Sequence, residues 1–222
     1  MFSYLYMKIL ESSPERYDRG IALASLGGAD RAREAMVADV GPGDRVADLG
    51  TGTGSLALLA AGKGAEVTGI DANAGMLAVA RKKLGNHPAS GRVRFVEAGV
   101  AEMDEVLETG AYTVVTASLL FSELSPDERR YALAEAYRAL APGGRLVIAD
   151  ETRPAGFFRR LVYGLARLLM VFLSLVLVQA GTRPVDGLPR LAREAGFEVD
   201  RVEITNRLGS FFILWAHKPE AP

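Results

Sequence analysis

The chain has 222 residues, a formal net charge of −1 at pH 7, no cysteine and only two histidines. This length fits one domain, 1–222, with a substantial buried core. A net charge so close to zero gives no overall electrostatic reason to bind nucleic acid, so we expect no nucleic-acid partner. The absence of cysteine excludes disulfides and thiolate ligands, and two histidines are few for a metal centre, so we expect no metal.

Residues 1–40 are predicted to form a helical arm. The first eight residues lack the basic start and sustained apolar run of a secretory signal, which leads us to expect a cytoplasmic protein. Pro14, after two serines, indicates a helix start just before Tyr17, and apolar residues recur at helical spacing from Ile21 to Val40. The following Gly-Pro-Gly is expected to end that helix. Such an arm could close over a binding site.

Residues 41–150 alternate between short apolar runs and amphipathic stretches, a pattern typical of successive βα units. We predict strands at 45–49, 65–70, 92–97, 112–117 and 144–150, and helices at 55–62, 73–84, 101–107 and 126–140. The runs of Val, Ile, Leu and Ala indicate strands buried on both faces of a parallel sheet. Ligands in this architecture bind beyond the carboxyl ends of the strands.

Residues 152–185 break this alternation. They contain no acidic residue, carry five arginines and enclose the uncharged apolar run 168–178. The run is shorter than the roughly 20 apolar residues of a transmembrane helix. We predict an apolar helical insertion that serves as a lid, as a membrane-surface helix or as a homodimer contact.

Residues 186–222 return to regular patterns. We predict a helix at 187–195 and strands at 197–205 and 210–217, which pair as an antiparallel hairpin at the edge of the sheet. The complete prediction is therefore an α/β fold with a doubly wound, Rossmann-like sheet of seven strands, mostly parallel with an antiparallel C-terminal hairpin.

A glycine-rich stretch from Asp48 to Gly54 (Asp-Leu-Gly-Thr-Gly-Thr-Gly) follows the first predicted strand and precedes a predicted helix. Glycines at alternate positions leave no Cβ where backbone N–H groups would meet a ligand, and the helix start adds its positive end. Asp71 ends the second predicted strand, 21 residues after Gly50. That spacing suits a carboxylate that binds the hydroxyls of a ribose.

The details of this stretch separate nucleotide ligands. Dinucleotide-binding turns have Gly-x-Gly-x-x-Gly, and a phosphate loop needs Gly-Lys followed by Ser or Thr; this chain has neither at this turn. The acid before the glycines, Asp48, disfavours a pyrophosphate and attracts an ammonium or sulfonium group, directly or through water. A ribose-bearing cofactor with a local positive charge is S-adenosylmethionine.

At these residues the sequence resembles the class I S-adenosylmethionine-dependent methyltransferases, over about residues 16–150. The similarity rests on Val-Ala-Asp-Leu-Gly-Thr-Gly-Thr-Gly from Val46, on Asp71, and on Leu-Ala-Pro-Gly-Gly-Arg-Leu-Val-Ile-Ala-Asp ending at Asp150. Within that class it is similar to the small-molecule, type-11 group that includes ubiquinone and menaquinone C-methyltransferases. The stretches 7–18 and 120–125 further resemble methyltransferases found beside corrinoid proteins.

The resemblance implies roles for particular residues. Gly50, Gly52 and the backbone of Thr51 would line the methionine part of the cofactor, and Asp71 would hold the ribose hydroxyls. Ala72 and Met76 would flank the adenine, and Tyr17 would reach the carboxylate end of the cofactor. The remaining predicted cofactor-binding residues are Asp48, Gly54, Val100, Ala101, Thr116 and Ala117.

Two positions depart from the family pattern. Many relatives carry an acid after the third strand that accepts the adenine amino group, whereas this chain has Ala-Gly-Val-Ala at 98–101, which leaves backbone contacts and Glu102. At the fourth strand, where relatives have an aromatic residue followed by Asp, this chain has Tyr112 and Thr113. The first departure concerns the adenine contacts.

Methyl transfer from a sulfonium needs alignment and exclusion of water, and it needs a base only if the acceptor must lose a proton. Candidate catalytic residues are Tyr17 and Glu123. We expect a small, apolar or membrane-associated acceptor, and a location in the cytoplasm at the inner face of the membrane. The alternatives are methyl transfer that serves a corrinoid protein partner, and a cofactor-binding interaction protein without turnover.

Overall fold

The computed structural model describes residues 28–85, 87–153, 185–205 and 210–220. Predictions for Tyr17, for most of the N-terminal arm and for the apolar insertion fall outside these ranges. Within them, none of the helices combines the length and apolar character needed to span a bilayer.

Seven strands form one sheet in the order β3-β2-β1-β4-β5-β7-β6. The first five strands are parallel to one another, and β7 runs antiparallel to both β5 and β6. The predicted fold class is therefore confirmed. The strands are β1 (Arg45–Leu49), β2 (Glu66–Asp71), β3 (Val93–Glu97), β4 (Tyr112–Ser118), β5 (Leu140–Glu151), β6 (Glu198–Ile204) and β7 (Phe211–His217).

Helices cover both faces of this sheet. In the described residues they are α1 (Gly28–Met36), α2 (Ser55–Gly62), α3 (Ala74–Leu84), α4 (Met103–Val106), α5 (Pro126–Ala139) and α6 (Leu188–Glu194). Because successive strand residues point to opposite faces, Val46 joins the core formed with α1, α2 and α3, whereas Ala47 and Leu49 join the core formed with α4, α5 and α6. This two-sided burial explains the near-continuous apolar composition of the parallel strands.

Most predicted boundaries in residues 41–150 agree with the structure to within one residue, and two elements differ by more. The predicted helix 101–107 is a 3₁₀ turn, Val100–Glu102, followed by the short α4. The fifth strand begins at Leu140 instead of residue 144, because Leu140 is already extended and pairs with Tyr112. The pairing with β4 then shifts its register before Val114, and Gly143 in this irregular part has a φ of +74°, which favours glycine.

Thr113 lies at the amino-terminal end of β4, at the edge of the sheet opposite the carboxyl ends of the parallel strands. Its hydroxyl donates to Asp44 Oδ1 at 2.6 Å and accepts from the Arg45 N–H at 3.1 Å. The Arg145 guanidinium lies 3.3 Å from Asp44 Oδ2. An aspartate at position 113 would place a second negative charge beside Asp44, whereas threonine supplies a donor. This departure from the family pattern is therefore a matter of strand packing.

The neighbouring Tyr112 is almost completely buried, yet its hydroxyl has no hydrogen-bond partner among the described residues. An unpaired buried hydroxyl keeps its desolvation cost without compensation. We expect Tyr112→Phe to leave the free energy of unfolding unchanged or to raise it by about 1 kcal/mol. Urea unfolding would measure this change.

Thr113→Val is the matched control, since it removes a hydroxyl that is fully bonded. It should lower the free energy of unfolding by about 1–2 kcal/mol, because Asp44 loses a donor. A destabilised Tyr112→Phe variant would contradict the assignment of an unpaired hydroxyl.

Candidate cofactor site

A cavity of about 730 Å³ lies beyond the carboxyl ends of β1, β2 and β4. This volume falls within the roughly 300–1,000 Å³ of small-molecule and cofactor sites. Its lining combines glycines, apolar side chains and three carboxylates. The lining residues are Gly50, Gly52, Ile70, Asp71, Ala72, Asn73, Ala74, Gly75, Met76, Ala98, Gly99, Val100, Met103, Ser118, Leu119, Leu120, Glu123, Leu124 and Glu128.

The glycine turn between β1 and α2 needs glycine for two separate reasons. Gly50, Gly52 and Gly54 have φ values of +65°, +56° and +76°, a region that other residues rarely adopt. A Cβ on Gly54 would lie 2.7 Å from Phe95 Cζ, so this glycine is required by packing. A Cβ on Gly52 would meet no atom within 4 Å and would project into open space. Gly52 is therefore the position at which the backbone is accessible to a ligand.

Asp71 connects this turn to the end of β2. Its Oδ2 accepts from the Gly52 N–H at 2.7 Å, and its Oδ1 accepts from the Asn73 N–H at 2.8 Å. Burial raises the pKa of Asp71, and the two backbone N–H groups counteract that rise. Since each carboxylate oxygen can accept a further hydrogen bond, the carboxylate is fixed at the cavity and still able to bind ligand hydroxyls.

Asp48 lies behind the turn and is 2% exposed. Its two oxygens accept from the hydroxyls of Thr51 and Thr116, each at 2.7 Å. Burial is the main cause that raises the pKa of Asp48 to about 6, while the two hydroxyls lower it. The residue does not line the cavity, so its observed bonds anchor the base of the glycine turn to β4.

The predicted cofactor residues divide into two groups. The cavity is lined by Gly50, Gly52, Asp71, Ala72, Met76 and Val100. The second group does not line the cavity and consists of Asp48, Thr51, Gly54, Ala101, Thr116 and Ala117. Thr116 and Ala117 are fully buried inside β4, because that strand continues to Ser118 and the cavity begins only there. The role of each residue toward the cofactor stays a prediction.

Several lining residues were not predicted, and most of them follow a strand end. Asn73 caps α3, and its side chain accepts from the N–H groups of Gly75 and Met76. The stretch that follows Ser118 supplies Leu119, Leu120 and Leu124. The rule that ligands bind beyond the strand ends could have identified these positions, although not which of their side chains face inward.

The acid expected near the adenine has a local role in the structure. Glu102 Oε2 accepts from the Gly99 N–H at 2.7 Å and caps the 3₁₀ turn. Gly99 itself lines the cavity together with Ala98 and Val100. A ligand in the cavity would therefore contact the backbone of this turn, which follows β3.

Glu123, one of the two candidate catalytic residues, lines the cavity. The other carboxylates of the lining are Asp71 and Glu128, and Glu128 accepts from the Ser125 N–H at 2.8 Å as part of the cap of α5. No group of three or more potential metal ligands occurs in the part of the chain that the structure describes. The site thus offers an acidic, partly apolar cavity beside an exposed glycine backbone, which fits a cationic, ribose-bearing cofactor.

Comparisons with known proteins agree with this geometry. Residues 46–144 match a family model described as a methyltransferase domain. The chain is 43% identical over 122 residues to a demethylmenaquinone methyltransferase of Thermus thermophilus, a match that covers 54% of this chain and 52% of the relative. It is 38% identical over 154 residues to a ubiquinone/menaquinone biosynthesis C-methyltransferase of Syntrophotalea carbinolica, covering 65% and 62%. The chain thus spans little more than half the length of these curated relatives.

Solved structures resemble the fold at low sequence identity. A magnesium protoporphyrin IX methyltransferase from Synechocystis with bound SAH has a TM-score of 0.65 and 21% identity, covering 86% of this chain and 83% of that one. A [4+2]-cyclase has a TM-score of 0.68 and 23% identity, covering 87% and 82%. At these identities the similarity concerns the fold alone.

The strand order, the exposed glycine turn and the carboxylate that ends β2 lie in a chain whose residues 46–144 match the methyltransferase-domain model, and together they fit S-adenosylmethionine as the cofactor. The curated relatives given above carry the names of quinone methyltransferases.

Asp71→Ala should weaken binding of S-adenosylmethionine by about 1–3 kcal/mol, because charge-assisted hydrogen bonds to the ribose would be lost. The substitution also releases the Gly52 N–H from its acceptor. Calorimetric titration would measure the affinity. Glu97→Ala is the control, because Glu97 pairs with Asp71 in the sheet register and is exposed, yet it does not line the cavity. Equal affinity of Asp71→Ala and wild type would contradict the assigned role.

Gly52→Val should abolish cofactor binding, because the branched side chain would fill the open space beside the turn. Gly110→Val controls for backbone strain, since Gly110 has a φ of +65°, also faces open space and does not line the cavity. We expect both variants to lose stability and only Gly52→Val to lose binding in the same titration. Wild-type affinity of Gly52→Val would show that the ligand does not approach this backbone.

Asp48→Asn should change how stability depends on pH. Because burial raises the pKa of Asp48 from 3.8 to about 6, its contribution to stability is complete below about pH 4 and is lost as the pH rises through about 6. Asparagine fits the same place, since either threonine hydroxyl can accept from its amide. Relative to wild type, the variant should therefore gain on the order of 3 kcal/mol between pH 4 and pH 7.5. Urea unfolding at both pH values measures this gain, and parallel pH profiles would contradict it.

Proposed function

We propose that this protein transfers the methyl group of S-adenosylmethionine to a ring carbon of a quinone-type acceptor, similar to demethylmenaquinone. The observation that carries the proposal is a single cavity in which the exposed glycine turn and Asp71 face an apolar wall. The names of the curated relatives support the same acceptor class.

The apolar wall comes from two parts of the chain. Leu119, Leu120 and Leu124 line the side contributed after β4, and Val100 and Met103 line the side contributed after β3. A flat, apolar ring would bury its surface against these side chains, which favours binding by roughly 25 cal/mol per Å² of apolar area. The cavity is therefore suited to an acceptor that is apolar rather than highly charged.

When bound, S-adenosylmethionine supplies a methyl group on a sulfonium sulfur that is already a good leaving group. The acceptor carbon forms the new C–C bond as the S–C bond breaks, so the residues of this chain mainly align the two partners and exclude water. A quinol acceptor loses its hydroxyl proton before it attacks, and methylation of the ring carbon then gives a neutral dienone. This dienone becomes aromatic again when the methylated carbon loses its proton and the oxygen is reprotonated, so one proton is released in total. A proton acceptor near the ring is therefore useful.

Glu123 is the residue we assign to this proton transfer. It lines the cavity on the loop that also carries the apolar Leu120 and Leu124. Asp71 lies on the cofactor side of the cavity, where it bonds the glycine turn, and Glu128 lies in the first turn of α5. Of the three carboxylates in the lining, Glu123 thus combines access to the cavity with a position on the acceptor side.

We also propose that the protein works in the cytoplasm at the inner membrane face, where an apolar quinone would be found. The support is the composition of residues 152–185, which are rich in arginine and leucine and lack acidic residues. Sedimentation with anionic liposomes that requires Arg159, Arg160 and Arg167 would be the expected result. Absence of sedimentation at low salt would remove this part of the proposal.

Incubation of the protein with demethylmenaquinol, kept reduced by dithiothreitol in detergent, and with cofactor labelled at the methyl group should give a product labelled on a ring carbon, detected by mass spectrometry. Glu123→Gln should slow turnover by roughly 100-fold or more while the affinity for the cofactor is unchanged. Gly52→Val is the inactive control.

Cofactor binding without any labelled quinone would reject the proposed acceptor. The fold alone does not decide the reaction, as the similarity to a cyclase illustrates. The corrinoid-partner and non-catalytic alternatives stay predictions, and the names of the relatives reported above give no support to the corrinoid partner.

A further inference from the structure

The segment Leu119–Ser125, which we call the cavity turn, connects β4 to α5 and supplies four lining residues: Leu119, Leu120, Glu123 and Leu124. Leu119 has a φ of +60°, and it is the non-glycine residue with a positive φ in the described ranges. Leucine rarely adopts this conformation, so the surrounding structure must impose it.

The cavity turn rests directly on the glycine turn. A Cβ on Gly50 would lie 3.1 Å from Leu120 Cδ1, so a side chain at position 50 would force Leu120 to shift by a few tenths of an ångström. The position of Leu120 therefore helps to determine the shape of the cavity next to the backbone that meets the cofactor.

Asp150, at the carboxyl end of β5, forms a hydrogen bond with the backbone of this turn. It is 0% exposed, and its Oδ2 accepts from the Ser122 N–H at 3.1 Å. Its Oδ1 accepts from the Glu151 N–H at 2.7 Å. Burial raises the pKa of Asp150 to about 7, against the effect of these donors.

Arg129, which lies in α5, forms a hydrogen bond with the backbone of the adjacent residue, Phe121. It is 8% exposed, and its Nε–H donates to the Phe121 carbonyl oxygen at 2.6 Å. Two charged side chains from different elements thus bond to the backbone of consecutive residues, Phe121 and Ser122. Neither of the two charged side chains lines the cavity.

Burying two charged groups has a large desolvation cost, which an apolar pair of similar size would avoid. The charged groups instead form hydrogen bonds of fixed direction, because a backbone N–H can only donate to the carboxylate and a backbone carbonyl can only accept from the guanidinium. They fix one conformation of the turn, including the unfavourable φ of Leu119.

We propose that Asp150 and Arg129 are positioning residues that hold the cavity turn against the glycine turn and thereby set the affinity for the cofactor. The role is measured as affinity for the cofactor and does not depend on the identity of the methyl acceptor. Failure of the quinone assay would leave it unaffected.

Asp150→Asn tests the proposal with little change in size. One of the two backbone N–H groups would then face the amide NH₂, two donors that cannot pair. We expect the dissociation constant for S-adenosylhomocysteine, measured by calorimetry and corrected for the folded fraction, to rise roughly 3- to 30-fold. The Ser122 amide should also exchange its hydrogen faster than in wild type.

Asp44→Asn is the matched control, since Asp44 is a partly buried carboxylate that accepts from the Gly41 N–H and from Thr113 at the opposite edge of the sheet. It should lose stability and keep wild-type affinity for S-adenosylhomocysteine. Unchanged affinity in Asp150→Asn, or an equal loss in both variants, would overturn the proposal because the effect would then be one of general stability.

Arg129→Met removes the attachment to the Phe121 carbonyl oxygen and covers the case in which Asp150→Asn does not fold. The same titration should show weaker binding in this variant. Wild-type affinity would equally overturn the proposal.

Discussion

The hydrogen bond from the Gly52 N–H to Asp71 is the interaction on which the cofactor site depends. It joins the turn after β1 to the end of β2, so two neighbouring parallel strands present their ligand-binding groups as one surface. The bond is possible only because the register pairs Leu49 with Ile70 and the Thr51 N–H donates to the Ile70 carbonyl. The pairing of β1 with β2 therefore also forms the site at which the cofactor binds.

Three carboxylates belong to this arrangement, two of them buried and one partly buried, and their hydrogen-bond partners determine what each can do. Asp48 is bonded by two hydroxyls, which can donate or accept, so the base of the glycine turn tolerates a change of charge. Asp71 is bonded by two backbone N–H groups at the cavity and retains acceptor capacity for a ligand. Asp150 is fully buried and accepts from the backbone N–H groups of Ser122 and Glu151, which fits a residue that fixes a neighbouring turn.

The candidate site was predictable where the residue type itself limits the conformation or the chemistry. The glycines of the turn and the carboxylate at position 71 are such residues, and the structure places Gly50, Gly52 and Asp71 at the cavity. Thr116 and Ala117 do not line it, because their access depends on where β4 ends, one residue later than predicted. The cavity turn was not predicted as a wall, since the φ of Leu119 is imposed by contacts distant in sequence.

The sequence by itself determined the class of fold and the cofactor. The alternation of apolar runs with helical patterns specifies a parallel sheet, and the spacing of the glycines from Asp71 specifies a ribose-bearing ligand. Only the tertiary structure decided which polar groups face the ligand and which face the core. The physical reason is that Asp48, Asp71 and Asp150 all follow the same local pattern of an acid near a strand end, and they differ in the hydrogen-bond donors that other strands and turns bring to them.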